Sequence, residues 1–171
     1  LSAVLDCQVD AFSVKPLGEG VGILGLVTRV TLQGKACPKT LIAKFQSPVA
    51  DNRAVAGLYQ MYEREITFYT EIAPTLSIRA PSCFHAGYDP DSRAFVLLLE
   101  DLDQYEIGDQ VAGCSIAQCE QVVKALAKFH AETLRRQRSP RSSDTIMKPK
   151  LRACRLGFQP AGRLLKRCFR S

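Results

Sequence analysis

The stretch Gly18-Glu19-Gly20-Val21-Gly22-Ile23-Leu24-Gly25-Leu26-Val27-Thr28-Arg29-Val30-Thr31-Leu32 decides the fold. Within it, Gly20, Gly22 and Gly25 satisfy G-x-G-x-x-G, a pattern shared by two unrelated nucleotide-binding folds. The residues after the glycines separate the two. A dinucleotide fingerprint opens into a helix, whose N-terminus receives the pyrophosphate. Here Leu26, Thr28, Val30 and Leu32 alternate with Arg29 and Thr31, the period of a strand with one buried face. The glycines therefore form a flap between two antiparallel strands, and Gly20 through Val27 fits G-x-G-x-x-G-x-V. Such a flap lets backbone N–H groups approach phosphate oxygens with no Cβ in the way. A flexible hairpin whose glycines serve only turn geometry satisfies the same pattern, so the motif alone leaves both open.

Moving outward, Leu41-Ile42-Ala43-Lys44-Phe45 predicts a second strand, with Ile42 and Lys44 on one face and Leu41, Ala43 and Phe45 on the other. An ammonium in an apolar strand is costly unless it meets water, a carboxylate or a phosphate. From Asn52 to Ala73 the residues Val55, Leu58, Tyr62, Ile66, Tyr69 and Ala73 recur at spacings of three and four, predicting an amphipathic helix closed by Pro74. At about 100° per residue, Glu65 falls between Leu58 and Ile72 inside the apolar arc, while Glu63, Arg64 and Glu71 fall outside it. A carboxylate on a buried face wants a cation, and Lys44 is the candidate. Such a pair holds a lysine ready for the α- and β-phosphates of a nucleotide. A solvent-facing strand lysine and a core glutamate bonded to backbone or water remain the alternatives.

Further on, Cys83 to Tyr88 and Ala94 to Leu102 flank the turn-forming Asp89-Pro90-Asp91-Ser92, predicting a hairpin. Its second strand is apolar on both faces over Phe95 to Leu99 and so is central. It ends on Glu100-Asp101-Leu102, either a strand's exit into solvent or a hinge. A second helix is expected from Ala117 to about Leu134, with Val122, Val123, Leu126 and Phe129 on one face. The order of elements lacks βαβα alternation and predicts an α+β fold.

Composition bounds the function. The 171 residues are 46% hydrophobic, enough to bury a core. The longest glycine-free apolar run, Ala94 to Leu99, falls far short of the roughly 20 residues of a membrane helix, and no signal-peptide pattern opens the chain. A soluble cytoplasmic protein is expected, and Leu1 in place of Met suggests a longer reading frame. The seven cysteines are scattered without a C-x-x-C pair and are expected to be reduced thiols. With only His85 and His130 beside them, a metal held by the protein alone is not expected. Net charge is +6, but residues 1–134 hold 11 Lys and Arg against 16 Asp and Glu, a net −5, whereas residues 135–171 carry +11. The basicity belongs to the tail and is no nucleic-acid signal for the body.

The stretches Gly18 to Leu32, Leu41 to Phe45, Tyr62 to Tyr69, and Asp89 through Gly113 resemble the aminoglycoside phosphotransferase and choline kinase-like superfamily, and most of all its bacterial phosphotransferase family proteins, over about Phe12 to Leu134. The resemblance implies a protein kinase-like N-lobe at residues 1–102, an antiparallel sheet plus one helix. A hinge and the first helix of a truncated helical C-lobe come next at 103–134, and a basic, disordered tail at 135–171. It implies ATP as cosubstrate, with Mg²⁺, and transfer of the γ-phosphate to a hydroxyl of a small molecule. Lys44 would orient the phosphates and Glu65 would anchor it. Gly20, Gly22 and Gly25 would cover the phosphates, Val27 and Ala43 would sandwich adenine, and Glu100, Asp101 and Leu102 would form the hinge. The family's catalytic loop, H-G-D-x-x-x-x-N, and its second metal-binding Asp have no counterpart, because the only Asp or Asn after His130 is Asp144. ATP positioning is therefore expected without phosphoryl transfer, and a non-catalytic, pseudokinase-like module with a basic tail is the alternative. A change of reading frame accounts for the abrupt switch at Arg135, as does a functional tail that binds nucleic acid or an acidic surface.

Overall fold

In the computed structural model, residues 1–17, 24–106, 108–109 and 111–138 are described. Strict alternation organises them. Strand β3 (Thr40–Gln46) buries Leu41, Ala43 and Phe45 completely and leaves Ile42 and Lys44 half-buried on its other side. Strand β5 (Ala94–Glu100), apolar at every position but its last, buries both faces. These two strands pair antiparallel at the centre of a five-stranded sheet. Around them lie β1 (Gln8–Pro16), β2 (Gly25–Lys35) and β4 (Cys83–Asp89), in the order β1-β2-β3-β5-β4. Every neighbouring pair is antiparallel. The α+β class and the kinase-like N-lobe arrangement expected from sequence are both present.

The sheet separates two apolar clusters. Val30, Leu32, Leu41, Ala43, Phe45, Val96 and Leu98 fill one face, with Val4 and Leu5 of the short helix α1 (Ser2–Leu5) packed against them. The other face packs Phe95, Leu97 and Leu99 against Ala56, Tyr62 and Ile66. The helical layer on that face departs from the single helix expected over Asn52 to Ala73. It is α2 (Ala50–Leu58) and α3 (Met61–Thr67), the latter running on through a π-helical turn (Phe68–Ile72) to a 3-10 turn (Ala73–Thr75). The break falls at Gln60, whose φ of 50° is left-handed. Three residues earlier stands Gly57, poorly suited to a helix interior and approached so closely by the Arg93 side chain that a Cβ would sit 2.8 Å from its guanidinium. The break puts Val55 and Leu58, expected on the buried face, into solvent, at 45% and 76% exposure. The last helix among the described residues, α4 (Ile116–Arg138), exposes Val122, Val123 and Leu126.

The expectation of reduced thiols fails for two of the seven cysteines. Cys7 immediately precedes β1 and Cys37 comes just after β2. The register that places Gln8 opposite Lys35 brings them to a Cα separation of 5.4 Å, and they form a disulfide. Cys83, Cys114 and Cys119 are free. The spacing of Cys7 and Cys37 forms no recognised motif, so only strand pairing reveals the partnership. The basic tail beyond residue 138 lies outside the described residues. Among those described, no helix is long and apolar enough to cross a membrane.

Candidate functional site

The helix-bearing face of the sheet is laid out in two cross-strand rows. Val27 on β2 stands opposite Lys44 on β3, which stands opposite Leu97 on β5; one step along, Arg29, Ile42 and Leu99 align in the same way. Residues directly opposite in adjacent strands share a face. Val27, Arg29, Ile42 and Lys44 thus present one mixed surface of two branched apolar side chains and two cations.

Each cation has a carboxylate. Lys44 Nζ is hydrogen-bonded to Glu65 of α3, the two side chains each 28% exposed. The pair expected from sequence therefore forms, although the wheel that suggested it used Leu58, which the break at Gln60 removes from the face. Glu65 reaches Lys44 because α3 docks through Tyr62 and Ile66, 4% and 5% exposed, which frame Glu65 in the same two turns. One turn on, Tyr69 has its phenol pushed above the ordinary range, first by burial and then by the charge of Glu65. Arg29 was not singled out from sequence. Its Nε lies 2.6 Å from Asp101 Oδ2 and its Nη2 donates to Oδ1 at 3.1 Å. Counting by twos from Lys44's partner Val27 would have found it.

The same count corrects one expectation. Ala43 does not share a face with Val27. It lies wholly within the opposite cluster, shielded from solvent, and stands opposite Thr28, whose Oγ1 donates to the Ala43 carbonyl at 3.3 Å. Strand alternation forces this, since Ala43 is next to Lys44 and the residue two before Lys44 is Ile42. Of the three glycines, Gly25 opens β2 opposite Gln46, with the Phe45 carbonyl 3.0 Å from where a Cβ would stand. Gly20 and Gly22 lie outside the described residues.

At the end of β5 both acids have partners within the chain. Glu100 is paired with Arg79 and accepts the Ser82 N–H at 3.0 Å; the Arg79 hydrogen bond first, then Ser82, holds its carboxyl below the usual range. Asp101, its side chain 3% exposed, is held by Arg29. The Leu102 carbonyl accepts the Tyr105 N–H at 2.9 Å, turning the chain after the strand. The side chains of Glu100 and Asp101 thus brace this segment. Among the described residues no group of three or more His, Cys, Asp or Glu is placed to hold a metal ion. The geometry can orient an anion at Lys44 and seat a flat apolar group on Val27 and Ile42.

Neither a curated protein nor a solved structure gives a significant match to this chain. The sequence profile of the ecdysteroid kinase-like family matches residues 20–152. The matched region begins within the glycine-rich stretch, takes in Lys44, Glu65 and Glu100 to Leu102, and continues past Leu134, where the likeness read from sequence ended. A kinase-like family of this kind is related to the choline kinase and aminoglycoside phosphotransferase superfamily. With most of its length matched and a kinase-like sheet carrying a Lys–Glu pair, the chain belongs to the ecdysteroid kinase-like family.

Proposed function

We propose that the chain carries the ATP-binding portion of a small-molecule phosphotransferase. The observation that supports this best is the Lys44–Glu65 pair on the face that also carries Val27 and Ile42. Lys44 would take the nucleotide phosphates, and Glu65 would fix its side chain so that less conformational freedom is lost on binding. Adenine would lie against Val27 and Ile42, its edge meeting main-chain groups of Glu100 to Leu102. The glycines Gly20, Gly22 and Gly25 would cover the phosphates. When bound, Mg²⁺ would neutralise phosphate charge, but among the described residues no cluster of carboxylates or histidines suits it.

The acceptor would be a hydroxyl of a small molecule. The family description names an ecdysteroid, which makes a steroid alcohol the first acceptor to try, ahead of aminoglycosides, choline and other alcohols. The supply of ATP argues for the cytoplasm, and the Cys7–Cys37 disulfide for an oxidising compartment. A second reading, in which the module binds nucleotide without transferring its phosphate and uses the basic tail to contact a partner, rests on the concentration of positive charge in residues 135–171.

Calorimetric titration of the full chain with ATP, repeated on Lys44→Ala, tests the binding. Saturable binding that weakens at least about tenfold in the variant supports the proposal, since a charge-assisted contact to phosphate is worth about 1.5–3 kcal/mol. No binding by the wild-type chain at millimolar ATP refutes it. Incubating the same chain with ATP and steroid alcohols separates the two readings by the presence or absence of a phosphorylated product.

A further inference from the structure

The Tyr62 ring docks α3, and its hydroxyl lies where β2, β3 and α3 meet. The last pair in the β2–β3 register is Gly25 with Gln46. Beyond it, Leu24 and Ser47 would form the next pair. In place of that pair, the Tyr62 hydroxyl donates to the Leu24 carbonyl at 2.7 Å and accepts the Ser47 N–H at 3.2 Å. A side chain of α3 thereby completes the ladder between β2 and β3. The ring is stacked on Phe95 of β5, with centroids 4.7 Å apart and an interplanar angle of 16°, and the residue is 4% exposed.

The consequence for the site is geometric. Leu24 joins the glycine-bearing segment to β2, and Ser47 lies three residues after Lys44. Glu65 lies three residues after Tyr62 on the same helix, hence on nearly the same side. The break at Gln60 interrupts the helical register between α2 and α3, and Tyr62 lies in the first turn of α3. We infer that Tyr62 is a positioning residue which ties the adjoining ends of β2 and β3 to the helix carrying Glu65, so that Lys44 and its carboxylate partner are set together. A phenylalanine would serve the stacking and burial equally well. Only the hydroxyl is needed for the tie.

This rests on the proposed ATP site, and the test separates the two. In the full chain, Tyr62→Phe keeps the ring on Phe95 and removes the hydroxyl. ATP affinity is expected to fall about fivefold, the worth of roughly one net hydrogen bond, while adenosine affinity changes by less than about twofold. A purely structural role would weaken both ligands equally; equal loss, or no loss, overturns the inference. Amide exchange of the ligand-free chain gives a second readout: the variant should accelerate exchange at Gly25 and Leu26 and at Glu65 and Ile66 together, and acceleration confined to one segment overturns the tie. If the wild-type chain binds no ATP, the proposed function falls, and the exchange measurement decides the tie alone.

Discussion

Arg29 of β2 and Asp101, just past the end of β5, meet across the sheet, the guanidinium facing both carboxylate oxygens, with Asp101 3% and Arg29 37% exposed at the side chain. Their unequal burial predicts an unequal response. Arg29→Met leaves a buried carboxylate without its cation, whereas Asp101→Asn leaves a guanidinium that is partly in water, with its Nε buried. Thermal melts of the two variants are expected to show the larger fall for Arg29→Met, by roughly a factor of two. Equal falls would mean that the pair contributes only through its hydrogen bonds.

Ile42 and Ala43 adjoin in sequence and face opposite ways, so their variants should differ in kind. Ala43→Leu forces a larger side chain into a filled cluster and should cost about 1–3 kcal/mol of stability in denaturant titrations, with adenosine affinity unchanged in the folded fraction. Ile42→Ala should weaken adenosine about tenfold by removing apolar contact. The opposite assignment would put the nucleotide on the wrong side of the sheet.

The pH dependence of stability has a predictable sign near neutrality. Burial holds the His85 imidazole below its ordinary value of 6.5. Below about pH 6.5 the unfolded chain takes up a proton that the folded chain resists, so stability falls as the pH drops from there towards the lowered folded value. Above pH 6.5 the residue contributes no slope. His85→Gln should flatten that part of the curve. Glu100, held low by Arg79, acts at more acid pH: its contribution is present above 4.5 and is lost as the pH falls through its depressed folded value.

Cys7 and Cys37 are separated by 30 residues, a loop that contains β1, the glycine-rich segment and β2. Closing a loop of that length restricts the unfolded chain by about 3–4 kcal/mol on the chain-entropy account. Denaturant titrations with and without reductant should differ by that order. Cys7→Ser and Cys37→Ser should each match the reduced wild type, and a reduced chain as stable as the oxidised one would exclude the contribution.

Local periodicity made β2, β3, the β4–β5 hairpin and α4 legible in the sequence, because each carries its pattern on its own residues. The alternation of Leu41, Ala43 and Phe45 against Ile42 and Lys44 even fixed the faces; assigning adenine to Ala43 came from the likeness to other sequences, and the alternation itself argued for Ile42. The Lys44–Glu65 pair was legible because a lysine in an apolar strand and a glutamate in an apolar helical arc each lack a local partner. The break at Gln60 was not, since the apolar spacing runs through it and a left-handed glutamine has no sequence signal. Pairings fixed by register or docking, such as Cys7 with Cys37, Arg29 with Asp101 and Tyr62 with Leu24, require knowing which strands adjoin.

The most direct test of a nucleotide seated on the helix-bearing face is methyl NMR of the full chain titrated with ATP. Shifts concentrated at Val27, Ile42 and Leu99, with Val30, Leu41 and Val96 on the opposite face little changed, are predicted. Shifts confined to Val30, Leu41 and Val96, or none at saturating ATP, would contradict the account.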